Sequence, residues 1–100
     1  MIDRAVAIAR DVRAGLLHDP SVPRNLAGEC GLAAMLVAAT LSKPRALRTG
    51  FFMERRMLYG KRGRYPHRHA WCRIGQMIID VTATQFSKSC KAVHVAHFAE

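Results

Sequence analysis

The sequence predicts an α+β domain, and three observations lead there. Apolar residues recur at helical spacing through the first 41 positions, the second half breaks into short alternating runs, and glycine- or proline-bearing segments separate the pieces. Helices followed by an antiparallel meander is the α+β order. One hundred residues suffice for one modest core, so a single domain spanning 1–100 is expected.

The elements follow in chain order. Ile2, Ala5, Val6, Ala9, Val12 and Leu16 fall on one helical face, with Asp3, Arg4, Arg10, Asp11 and Arg13 mostly off it. This first helix should end between Gly15 and His18. "HDPSVPRN" holds two prolines and reads as a loop. "AGECGLAAMLVAATL" is a second helix, apolar on nearly all sides and therefore expected to be buried. "SKPRALRTG" breaks the pattern again, because Pro44 disfavours helix through the residue before it. "FFMERRMLYG" fits a short helix or a strand, and its periodicity does not decide. "KRGRYPHR" is a basic loop carrying Gly63 and Pro66. Two strands are expected at roughly 69–74 and 77–82, joined by Gly75-Gln76, and "KAVHVAHF" gives a third.

Composition excludes several classes. The apolar stretch "GLAAMLVAATL" is too short for a bilayer, and the charged N-terminus lacks the apolar run of a signal peptide. Neither membrane insertion nor an export signal of the chain's own is expected, although it could be a fragment of a larger exported protein. Three cysteines without a C-x-x-C pair argue against a disulfide framework and a zinc knuckle, and favour a reducing, cytoplasmic site of action. His94 and His97, with Cys90 before them, would point to opposite faces of a strand, so no metal site is expected. The chain has no phosphate-binding glycine loop and no dinucleotide fingerprint, and no cofactor is expected.

The net charge is +9, and between Lys43 and Arg68 nine Lys or Arg residues face a single acid, Glu54. Such a balance attracts nucleic acid, anionic surfaces or an acidic protein. "KRGRYPHR", with Tyr59 and Tyr65 nearby, has the basic-plus-aromatic look of a nucleic-acid contact strip. A solvated basic loop is the plainer alternative.

The stretch "HRHAWCRIGQMIIDVTATQF" places an aspartate inside an apolar run. A two-residue turn at Gly75-Gln76 would pair Ile74 with Met77, Cys72 with Ile79 and Trp71 with Asp80. Ala70, Cys72, Ile74, Met77, Ile79 and Val81 then form the core face. His69, Trp71, Arg73, Ile78, Asp80 and Thr82 form the other, so Asp80 leaves the core and lies diagonal to His69, roughly 5.5–8 Å away backbone to backbone. The carboxylate can accept one ring N–H and leave the second nitrogen free to act as a base. A half-exposed pair that merely holds two strands together would look the same in sequence.

Cys30, between Gly28 and Gly31, opens the second helix. Unpaired N–H groups and partial positive charge at a helix start favour a thiolate and can hold an oxyanion. Glycines there let a substrate backbone approach. Cys72 points to the core face and should be inert, and Cys90 is a surface or packing thiol. A small residue filling a tight helix contact is the competing account of Cys30.

The order Cys, His, Asp, carried by "GECGLAAMLVA" and "HAWCRIGQMIIDVTATQF", resembles the papain-like and transglutaminase-like superfamily of cysteine enzymes. The resemblance covers under a third of the chain. It implies a papain-like core and a catalytic triad of Cys30, His69 and Asp80. Members often carry a Gln or Asn before the cysteine as an oxyanion donor, a role Asn25 could take, although loop capping suits it equally. Gly31 would lie at the same oxyanion site, and Trp71 would shield the His–Asp bond or simply pack on the sheet. The implied function is cysteine-dependent acyl transfer on a protein or peptide amide: peptidase, glutamine deamidase or transglutaminase. Small basic enzymes of this type resemble bacterial toxin and effector domains held by acidic immunity proteins. Two other readings stand beside it: an RNA-binding or RNA-cleaving domain gripping its substrate through 43–68, and a non-catalytic binding module.

Overall fold

The computed structural model describes residues 2–53, 58–61, 65–86 and 90–98. Two helices, α1 (Ile2–Leu17) and α2 (Cys30–Thr40), pack on one face of a five-stranded antiparallel sheet. Its strands are β1 (Leu47–Met53), β2 (Leu58–Gly60), β3 (His67–Ile74), β4 (Met77–Asp80) and β5 (His94–His97), in the order β2-β1-β3-β4-β5. The architecture is α+β, as expected. No helix among the described residues is long and apolar enough to cross a membrane.

α1 buries Ala5 and Ala9, one turn apart, while Ile2, Ile8, Val12 and Leu16 pack around them. α2 begins at Cys30, three residues later than its apolar run starts, because Leu26 and Gly28 hold positive φ of 63° and 84°. Those left-handed turns are incompatible with helix. α2 ends where Ser42, at φ 56°, donates to the Ala39 carbonyl and Lys43 donates to that of Ala38. That pair of bonds is a Schellman closure, with Pro44 just beyond it.

α2 is not buried on all sides. It turns Ala33, Ala34, Val37 and Ala38 to the sheet and leaves Leu32, Met35 and Leu36 exposed. Small residues on the inner face let the helix approach closely, and the buried Cys72 thiol donates to the Ala34 carbonyl at 3.2 Å. The large side chains are therefore the ones turned outward, which an all-apolar sequence cannot reveal.

The hairpin has the expected register: Ile74 pairs with Met77, Arg73 with Ile78 and Cys72 with Ile79. Gly75 takes φ 60°, as the first central position of a type II′ turn requires. Two segments differ from expectation. "RALRTG", read as a break, begins β1, whose pairing with β3 runs from Leu47↔Cys72 to Phe52↔His67. The undecided run supplies the end of β1 and β2, with Phe52 opposite Tyr59; residues 54–57 between them lie outside the described residues.

The second sheet face is more closed than the hairpin alone indicates. Phe52, Tyr59, Trp71 and Ile78 form a second buried cluster there, covered by Phe86 and Phe98. Asp80 is 0 % exposed and His69 4 %. Both faces of the sheet thus carry a buried cluster.

Gly50 is fixed by this packing. A Cβ there would lie 2.5 Å from the Gly60 carbonyl oxygen and 2.9 Å from the Trp71 ring. Backbone on one side cannot yield cheaply, so Gly50→Ala should cost about 1–3 kcal/mol. Chemical denaturation followed by the fluorescence of the single tryptophan measures it.

Candidate active site

β3 and β4 bring His69 and Asp80 onto the same buried face. His69 Nε2 lies 2.7 Å from Asp80 Oδ2. A nitrogen facing a carboxylate at that distance carries the proton and donates it. The same oxygen accepts the Tyr59 hydroxyl at 2.8 Å, and Oδ1 accepts the Thr82 backbone N–H at 3.0 Å. Three donors thus satisfy a fully buried carboxylate that would otherwise be prohibitively costly. Tyr59 itself is held neutral: burial first, then the adjacent Asp80 charge, raise its pKa, so its O–H stays a donor.

His69 is boxed in by rings. Phe86 meets it edge-on at 4.8 Å between centroids, Phe52 lies at 5.5 Å and Trp71 at 6.0 Å. Burial alone would lower the imidazole's pKa. The Asp80 carboxylate and the Cys30 sulfur more than reverse this and bring it up to about 9. Nδ1 makes no hydrogen bond of standard geometry to another group, and with Nε2 committed to Asp80 it is the nitrogen left for Cys30.

Cys30 is half-buried at the first position of α2. Its thiol is held below the usual value of 9.0, chiefly by the side-chain interaction with His69, against burial. The backbone N–H groups of Ala70 and Gly31 add to the lowering. Lowering of the thiol and raising of the imidazole are the directions that favour a thiolate–imidazolium pair. Cys72 is the contrast: burial pushes its thiol up to about 11.

The residues before α2 shape the approach to the sulfur. Glu29 precedes the helix without a side-chain cap bond, so no side chain of its own occupies the first-turn amides. A Cβ added at Gly31 would meet nothing within 4 Å, so the space beside it is open. Asn25 is exposed, and its Oδ1 accepts the Ala27 N–H at 3.1 Å, the loop-capping alternative of its two readings. Trp71 is 3 % exposed and packs edge-on against Tyr59 at 5.1 Å.

Several contributors were not foreseen from sequence. Tyr59 sits in the run whose period was ambiguous, and Phe86 follows the hairpin with no pattern of its own. Gln85 ties the two halves together: its Oε1 accepts the Gly28 N–H at 3.4 Å, and its Nε2 donates to Thr82 Oγ1 at 3.2 Å. From α1, Arg13 donates to the Val81 carbonyl at 2.9 Å and to Thr84 Oγ1 at 3.2 Å. Among the described residues no group of three His, Cys, Asp or Glu side chains is arranged to hold a metal ion.

Comparison of the chain with models of protein families, with curated proteins and with solved structures returns no match.

Tyr59→Phe removes one of two donors to Asp80 Oδ2. Stability should fall by about 1.5–3 kcal/mol, the worth of a hydrogen bond to a charged group. With less of the carboxylate's charge shared, His69 should titrate higher than in the parent. Denaturant unfolding and imidazole titration by NMR read the two effects separately.

Proposed function

We propose that the chain is a cysteine-dependent acyl-transfer enzyme acting on a protein or peptide amide, of papain-like or transglutaminase-like type. The observation that carries the reading is the buried relay in which Asp80 holds His69 at 2.7 Å and His69 lowers the Cys30 thiol. A purely structural His–Asp pair has no reason to act on a half-buried thiol at a helix start.

The Cys30 thiolate attacks the amide carbon, and the carbonyl π electrons move onto oxygen. The first-turn N–H groups of α2, with Gly31 next to the sulfur, stabilise that oxyanion. His69 gives its Nδ1 proton to the leaving amine as the C–N bond breaks, leaving a thioester on Cys30. Neutral His69 then takes a proton from water or an acceptor amine, which attacks the thioester and releases the thiolate. Asp80 keeps Nε2 protonated and the ring oriented throughout, while Trp71, Phe52 and Phe86 exclude water from that bond. Hydrolysis gives peptidase or deamidase activity; an amine acceptor gives transglutamination. No cofactor enters this scheme.

The working compartment in this reading is reducing, since the nucleophile must remain a free thiol. The high positive charge and small size support a toxin or effector domain delivered to the cytoplasm as part of a larger secreted protein, with an acidic immunity protein as its inhibitor.

Iodoacetamide should label Cys30 at neutral pH far faster than Cys72, read by peptide mass spectrometry; equal rates would sink the proposal. In His69→Gln the largest cause of the lowered thiol is gone, so the pH midpoint for labelling Cys30 should move up toward 9.0.

The pH dependence has a definite sign. Turnover rises as Cys30 ionises, below the ordinary thiol range. It declines as pH passes about 9, where His69 loses the proton it must donate. Mass spectrometry of casein or glutamine peptides incubated with parent and Cys30→Ala protein separates cleavage from a deamidation shift of about one dalton.

A further inference from the structure

The second sheet face ends, away from Asp80, in a cleft of about 500 Å³ whose lining includes Arg48, Lys61, Trp71, Arg73 and Phe98. Arg48 lies directly across β1–β3 from Trp71, and Arg73 is two residues further along β3 on the same face. Both guanidiniums are set by neutral partners. Arg48 Nη1 donates to the Arg45 and Leu47 carbonyls. Arg73 donates to the Gly75 carbonyl at 2.9 Å and Gln76 Oε1 at 3.2 Å, and lies over the Phe98 ring at 4.0 Å. Such contacts orient a guanidinium without neutralising it. Among the described residues neither arginine has a carboxylate partner, and the described acids lie elsewhere: Asp3 and Asp11 on α1, Asp19 and Glu29 between the helices, and Asp80 buried. Lys43 and Arg45 line an adjoining cleft of about 460 Å³ that shares Arg48 and Arg73.

We infer that this cleft is a docking site for an acidic protein segment, whose carboxylates are taken by Arg48 and Arg73. Planar guanidiniums match carboxylates fork to fork, and an apolar wall strengthens the field they project. A single-stranded nucleic acid held through its bases would need aromatic faces to stack on. Tyr59 and Tyr65, the aromatics interleaved with the basic run, are 2 % and 5 % exposed, and Trp71 is 3 % exposed. The Phe98 ring is covered by Arg73. The charge is presented and the stacking platform is not, so protein carboxylates fit better than RNA. This site does not depend on the acyl-transfer reading, since neither arginine touches Cys30, His69 or Asp80 in any contact described above.

The test uses fluorescence anisotropy on the full chain with a labelled octapeptide of alternating glutamate and serine. Its glutamine counterpart and an eight-nucleotide oligouridylate serve as comparison probes. The glutamate peptide should bind in a salt-dependent manner and the glutamine peptide should not. Arg48→Gln/Arg73→Gln should weaken binding at least tenfold, whereas Arg4→Gln/Arg10→Gln, which removes the same charge from exposed α1 positions, should change it less than twofold. If the cleft variant proves unfolded by circular dichroism, Arg48→Gln alone carries the test, because Arg48 is exposed and its guanidinium hydrogen-bonds only to the Arg45 and Leu47 carbonyls. Equal losses in the two double variants would reduce the effect to net charge and overturn the site. So would no binding of the glutamate peptide, or tighter binding of the oligouridylate through the same two arginines.

Discussion

The 2.7 Å contact between His69 and Asp80 is the constraint around which this fold is arranged. A carboxylate with no exposure needs several donors, and each comes from a different part of the sheet: His69 from β3, Tyr59 from β2, and the backbone of Thr82 just past β4. Removing any one leaves charge in a dry site, where the loss of a partner is far costlier than the pair was favourable. The aromatic cover has the same origin. Phe52, Phe86 and Trp71 keep water from the pair, which strengthens it and makes its geometry matter. A modest domain thus commits much of its second core to one polar contact.

That commitment sets the electrostatics of Cys30. Burial would push both the thiol and the imidazole toward their neutral forms. Mutual attraction, with Asp80 behind the imidazole, moves them the other way. Cys72, equally part of the fold but without an imidazole beside it, is pushed up chiefly by burial, with the Asp80 charge adding to the rise. Two cysteines in one domain are thereby shifted in opposite directions, the half-buried one beside His69 down and the buried one up.

The hairpin register was legible because a two-residue turn leaves one pairing, and Gly75 supplies the backbone conformation that turn requires. The juxtaposition of His69 with Asp80 followed from it. The burial of that face was not legible. Its cover comes from Phe52, Tyr59, Phe86 and Phe98, residues in segments too short or too irregular to show a period. The same limit hid β1, whose first residues, Leu47 to Gly50, alternate around an arginine and a threonine as many loops do. For α2 the difficulty was reversed. An apolar helix has no polar face to mark its orientation, and only the size of its residues, alanines inward and Leu32, Met35 and Leu36 outward, records which side meets the sheet.

The Gln85 amide, which touches Gly28 on one side and Thr82 on the other, has a consequence for the order of events when the chain is made. Cys30 leaves the ribosome before any strand of the sheet. His69 follows about forty positions later, and the Gln85 amide, which ties the loop before Cys30 to the residues after β4, later still. Apart from the neighbouring Gly31 N–H, the interactions that lower the thiol are long-range ones, formed only once the sheet has closed. In a partly synthesised or partly unfolded chain the contact with His69 is absent, and the lowering of the Cys30 thiol arrives together with the completed fold.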